Sequence, residues 1–198
     1  VTTTVFLVRH GSHDRLGRVL CGRMAGVELS EAGHADAQRA AERLRREDLT
    51  AVYTSPLERT RQTAEPLAAA AEAPLEVSDD LVEIDFGAWT GARFDELNGD
   101  PRWAAWNADR STARPPGGES MLEVQARLRR WLDETCARHP EQRVAAVSHA
   151  DAIKALLAHA LGLSLDQHHR FEVSPGSIST IVAGDWGLKV LSINEVPR

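Results

Sequence analysis

At 198 residues the chain has the size of one domain of roughly 100–200 residues. It is expected to fold as a single domain over 1–198 and to bury a core without disulfide or metal staples. A net charge of −6 lacks the basic surface of a general nucleic-acid binder, so any anion site has to be a local concentration of positive charge. The two cysteines, Cys21 and Cys136, sit in no zinc spacing and make no framework, and no stretch approaches the ~18 apolar residues that cross a membrane. The start, Val1–Val8, lacks the basic-then-apolar pattern of a secretory signal, and the chain reads as cytoplasmic, with neither nucleic acid nor membrane as partner.

Val5–Val8 is a short apolar run that ends in Arg9-His10-Gly11, as a buried strand with polar residues at its C-terminal end does. Residues 12–29 have no period and read as a long functional loop. Ser30 is placed to cap a helix over 31–47, with Ala37, Ala40, Ala41 and Leu44 at helical spacing. Ala51–Thr54 is a second strand. Ser55-Pro56-Leu57-Glu58 matches a capping box, with Ser55 as N-cap and Glu58 at N3, and opens a helix to Glu72 that carries Arg59 and Arg61 in its first turns. Leu75–Val77 is a third, short strand. The stretch 83–117 predicts short helices and loops forming a cap over one end of the sheet. Glu119–Arg138 is an amphipathic helix with Met121, Val124, Leu128, Trp131 and Leu132 on one face. Arg143–Val147 is a strand, and Ser148 starts a helix that ends near Gly162 with Ile153, Leu156, Leu157 and Leu161 inward. Ser177–Val182 and Leu188–Ile193 form a hairpin. Strands alternating with helices give an α/β fold with three layers, a mostly parallel central sheet between helices.

Two of these strands end in a histidine, and open α/β sheets place their ligand crevice at the carboxyl ends of the strands. His10 and His149 therefore fall in one pocket, beside a helix N-terminus that favours an anion. Arg9 and Arg59 reach the same edge, and a guanidinium binds oxyanions in a bidentate fork. These residues alone read as an oxyanion cradle with the reaction type open.

The blocks Leu7-Val8-Arg9-His10-Gly11, Leu29-Ser30-Glu31-Ala32-Gly33, Ser55 to Ala64, Leu81 to Gly91 with Glu83, Pro115 to Ser120 and Val147-Ser148-His149 occur in an order and spacing that resemble the histidine phosphatase superfamily, the phosphoglycerate mutase-like family. The resemblance implies that His10 is a nucleophile toward phosphorus. It implies that Arg9, Arg59 and His149 hold the non-bridging oxygens and that Glu83 is the general acid. It implies no cofactor and no metal, because fixed cationic donors supply the charge that phosphoryl transfer needs. Where the family carries an asparagine after the Arg-His-Gly signature, this chain has Ser12-His13-Asp14-Arg15, so Ser12, His13 and Arg15 are candidates to replace it. Ala150 stands where the family has glycine.

Phosphatases and mutases share this chemistry. Mutases of the family carry a longer insertion between the acid block and the long helix, whereas Glu83 and Glu119 are only 36 positions apart here. The segment between them holds Arg93, Arg102, Arg110 and Arg114 and no lysine, which suits hydrolysis of a small phosphorylated substrate better than retention of a bisphosphate. A phosphomutase and a non-catalytic phospholigand-binding module are the alternatives. Trp89, Trp103 and Trp106 are expected to pack the cap. The oligomeric state and the substrate are not legible in the sequence.

Overall fold

The computed structural model describes residues 1–198. In chain order the elements are β1 (Thr2–Arg9), α1 (Glu31–Leu44), β2 (Leu49–Thr54), α2 (Glu58–Ala71), β3 (Leu75–Val77), α3 (Phe94–Leu97), α4 (Pro101–Ala108), α5 (Met121–Arg138), β4 (Arg143–Ser148), α6 (Ala150–Leu161), β5 (Ile178–Gly184) and β6 (Gly187–Glu195). Short 3-10 turns cover 79–81, 87–89 and 165–170. No helix is long and apolar enough to cross a membrane.

The six strands form one sheet in the order β3-β2-β4-β1-β5-β6. The pairs β2–β3, β2–β4 and β1–β4 are parallel, and the C-terminal hairpin adds β5 and β6 antiparallel to β1. Side chains along a strand alternate between faces, so each central strand feeds two cores. Phe6, Val8, Val52, Ala145 and Val147 pack under α1 and α2, against Ala40, Ala41, Leu44, Ala64 and Leu67. Val5, Leu7, Tyr53, Val144 and Ala146 face α5, α6 and the cap, with Met121, Leu128, Trp131, Ile153 and Leu156. The result is the helix–sheet–helix sandwich read from the sequence.

The helix starts differ in instructive ways. Ser30 caps α1 as expected, its Oγ accepting from Gly33 N at 3.2 Å, and that helix ends at Leu44 rather than 47. Ser55 does not cap α2. Its N-cap is Leu57 and the helix opens at Glu58, because the Ser55 hydroxyl is drawn to His149 instead and the Glu58 carboxylate accepts from Gly26 N. Ser148 belongs to β4 and donates its hydroxyl to Leu81 O at 2.7 Å, leaving His149 as the N-cap of α6. Ser120 opens α5 with a capping box to Glu123. Leu161, expected inward, is 42% exposed in the last turn before the left-handed Gly162.

Candidate active site

The sheet register brings the two histidines together. Arg9 of β1 lies opposite Ser148 of β4, so the next residue of each strand, His10 and His149, leaves the sheet at the same level. His10 N donates to Ser148 O at 3.0 Å, and Ser55 N to Val147 O at 3.1 Å. The carboxyl ends of β1, β4 and β2 are thereby tied into one edge, and the two imidazole centroids sit 5.2 Å apart. Gly11 turns the chain away immediately after the nucleophile candidate. A Cβ there would lie 2.3 Å from Gly33 O, and one on Gly33 would lie 1.9 Å from Ser12 O, so two backbones cross where no side chain fits.

His10 is buried, and its Nδ1 lies 2.8 Å from Gly11 O. A carbonyl only accepts, so Nδ1 carries the proton and Nε2 keeps its lone pair, with no protein partner. Burial first, then the Arg59 and Arg9 charges, hold this imidazole neutral well below the usual histidine range. His149 is held neutral in the same way, by burial and then Arg59. Its Nε2 is bonded to Ser55 Oγ at 2.8 Å, and Ser55 Oγ in turn to Thr60 Oγ1 at 2.8 Å.

Several buried nitrogens here have no protein partner. Arg59 is anchored through Nη2 to Gly22 O at 2.5 Å, and its Nε and Nη1 are left over. Arg9 is anchored through Nη1 to Val173 O at 2.7 Å, and its Nε is left over, as is Nδ1 of His149. Buried polar groups are normally paired, and each orphan costs of order 1–3 kcal/mol. A cluster of unpaired cationic and imidazole nitrogens has the chemistry to hold an oxyanion.

Glu83 closes the other side. Its Oε1 accepts from Ile84 N at 3.0 Å and Ala152 N at 3.1 Å, and its Oε2 from Asp151 N at 3.4 Å. These bonds favour the ionised form, as does Arg59, but burial and then the neighbouring Asp151 charge outweigh them and push the carboxyl up to about 7. An acid poised there can hold its proton near neutral pH and give it up on demand.

Of the three candidates in the loop after Gly11, only His13 reaches the site. Its ring is 5.4 Å from that of His10, and burial, then Arg59, lowers it to about 4. The Ser12 hydroxyl and N–H are both spent on Asp36 Oδ2, at 2.8 and 3.0 Å, and Arg15 is exposed outside the cleft. The cleft, of about 350 Å³, is lined by Arg9, His10, His13, Arg59, Glu83 and Asp151 at its polar end. Trp89 and Trp106 are buried in the core with Trp103 packed against them, and none of the three lines the cleft.

The comparisons with known proteins follow the same geometry. The model of the histidine phosphatase superfamily, branch 1, matches residues 5–196. The chain belongs to this superfamily. Phosphoserine phosphatase 1 of Hydrogenobacter thermophilus is 32% identical over 195 residues, 96% of this chain and 91% of that protein. A bifunctional protein of Mycobacterium tuberculosis is 37% identical over 180 residues, 89% of this chain, which spans about half (49%) of that protein's length. The solved structure of a mycobacterial glucosyl-3-phosphoglycerate phosphatase superposes with a TM-score of 0.89 at 26% identity, over 98% of this chain and 100% of that one. Other relatives of this histidine phosphatase superfamily member are named probable phosphoglycerate mutases.

Sequence reasoning passed over Asp151, which lines the cleft, and Arg110, which pairs with it at 2.5 Å. An acid in the first turn of a helix reads as a dipole partner, and the pair is separated by 41 residues, so no local signal joins them. Ser55 was legible only as a cap.

Proposed function

We propose that the protein hydrolyses phosphomonoesters through a phosphohistidine on His10, without a metal. The observation that carries this reading is the bare Nε2 of His10 set among unpaired donors of Arg9, Arg59 and His149. The phosphoryl group docks with its non-bridging oxygens on those donors. Nε2 forms the N–P bond as the ester P–O bond breaks, and the leaving oxygen takes the Glu83 proton. Ionised Glu83 then accepts a proton from water, whose oxygen attacks phosphorus. The N–P bond breaks with its electron pair returning to Nε2, and inorganic phosphate leaves. Splitting one transfer into two is covalent catalysis, and the fixed cations supply the charge stabilisation that dominates phosphoryl transfer.

Hydrolysis is favoured over mutase chemistry because every arginine of the cap is engaged by an acid. Arg93 pairs with Asp95, Arg102 with Asp100, Arg110 with Asp151 and Arg114 with Glu123, so the cap offers no free cation to a second phosphate. The test is rapid quench of Glu83→Gln with labelled p-nitrophenyl phosphate, whose leaving group needs no acid, followed by alkaline peptide mapping. Label on the His10 peptide, absent in His10→Ala, is expected. Label elsewhere, or near-normal turnover by His10→Ala, refutes the mechanism.

A further inference from the structure

Beside its charged groups the cleft has an apolar character that phosphate binding does not explain. Its walls are Leu16, Val19 and Leu20 from the loop after Gly11, and Phe86 and Phe94 from the cap side. Asp151 lines the same cleft. Burial pushes Asp151 up, but Arg110 outweighs it, by charge and hydrogen bond, and keeps the carboxyl below its ordinary range. Arg110 itself stands behind Asp151, away from the cleft lining. Its Nη1 bonds Asp151 Oδ1, its Nη2 bonds Asn107 Oδ1 at 2.9 Å, and its guanidinium stacks on Trp106 at 3.7 Å. Asp151 Oδ2 has no protein partner.

Resting on the hydrolase reading, we propose that the cleft takes the phosphomonoester of an alcohol with an apolar face and no carboxylate, and that Asp151 is the specificity residue that turns acids away. A carboxylate on the substrate would lose its water against apolar walls and meet the open oxygen of Asp151, with no arginine or lysine in the cleft lining besides Arg9 and Arg59 to receive it. Arg9 and Arg59 are occupied by the phosphoryl group, the cap arginines are paired, Arg23 is held by Glu83 O and Glu119, and Arg15 stands exposed outside the lining. Uncompensated like charges across a binding site discriminate strongly.

The experiment measures kcat/KM by phosphate release for 2-phenylethyl phosphate, butyl phosphate, 4-phosphooxybutanoate and 3-phosphoglycerate, all primary alkyl esters, so the broken bond is matched. The expected order runs from phenylethyl through butyl to the two acids, which fall about tenfold or more below butyl phosphate. In Asp151→Asn the ratio of butyl phosphate to 4-phosphooxybutanoate should shrink at least about fivefold. A ratio cancels any change in the acid function of Glu83. Should that variant fail to fold, inhibition of the wild type by butylphosphonate against 4-phosphonobutyrate reads the same preference. Acids hydrolysed as well as butyl phosphate, or a ratio unmoved by Asp151→Asn, overturns the proposal while leaving the hydrolase reading intact. No phosphate release from any ester, with no label on His10, overturns both.

Discussion

Glu83→Gln should make the protein more stable at alkaline pH while slowing it as an enzyme. In the folded chain burial, and secondarily Asp151, raise the Glu83 carboxyl from 4.5 to about 7. The unfolded chain therefore releases this proton first as pH rises, and stability falls between about 4.5 and 7. Above about pH 8 the folded state holds an ionised carboxylate that costs about 3 kcal/mol relative to an exposed one, at about 1.36 kcal/mol per pH unit. Glutamine is close to isosteric with the protonated acid and carries no charge. Both forms are expected to unfold alike near pH 4.5, and the variant should be more stable by up to about 3 kcal/mol at pH 8.5. Urea unfolding of wild type and variant at both pH values measures the difference, and all other titrating groups cancel in it. A difference that does not change with pH, or a variant less stable at pH 8.5, would show that Glu83 is not held protonated by its surroundings.

The same carboxyl sets a kinetic expectation. With an alkyl ester, kcat/KM should fall about tenfold per pH unit above pH 7 as the acid is lost, and this limb should vanish in Glu83→Gln, measured by phosphate release across pH 5 to 9. Ser55→Ala leaves Nε2 of His149 unbonded in a buried place and should lower kcat/KM roughly tenfold, the size of one lost buried hydrogen bond. Steady-state kinetics on the folded variant checks it. Arg110→Met strands the Asp151 carboxylate and should cost about 3 kcal/mol in urea unfolding, most of it recovered in the double variant Arg110→Met/Asp151→Leu, whose pair is replaced by apolar groups.

The fold was legible because its signals are local. Short apolar runs placed β1, β2 and β4, and the Ser30 cap, the inward stripe of α5 and the hairpin at 184–187 each announce themselves within a few residues. Of the candidate site residues, His10 and His149 could be placed together because strand ends converge in such sheets, and the parallel register of β1 and β4 does bring them side by side. What escaped were side chains with two competing uses. Ser55 satisfies a capping pattern, yet its hydroxyl bonds the buried imidazole of His149 and the Thr60 hydroxyl, and the helix opens only at Glu58. Ser12 looked available to a ligand but is claimed by Asp36. The Asp151–Arg110 pair depends on how the cap folds over α6, which no local pattern specifies.

The crossing of Gly11 with Gly33 has a consequence for how such a protein can diversify. The segment between them leaves and returns at one point, pinned where Ser30 N and Ser30 Oγ both donate to Ser12 O, at 3.0 and 3.2 Å. Everything from residue 13 to 29 hangs from that knot as a closed loop, a compact unit whose ends stay fixed while its interior varies. Leu16, Val19 and Leu20, which wall the cleft, all belong to it. Most of the atoms proposed to handle phosphate lie outside, on β1, α2, the turn after β3 and the start of α6. Exchanging the loop as a cassette should therefore rewrite which alcohol is accepted, so long as residue 22 still offers its carbonyl to Arg59. The two glycines are the hinge pins of that exchange, and neither has room to become anything else.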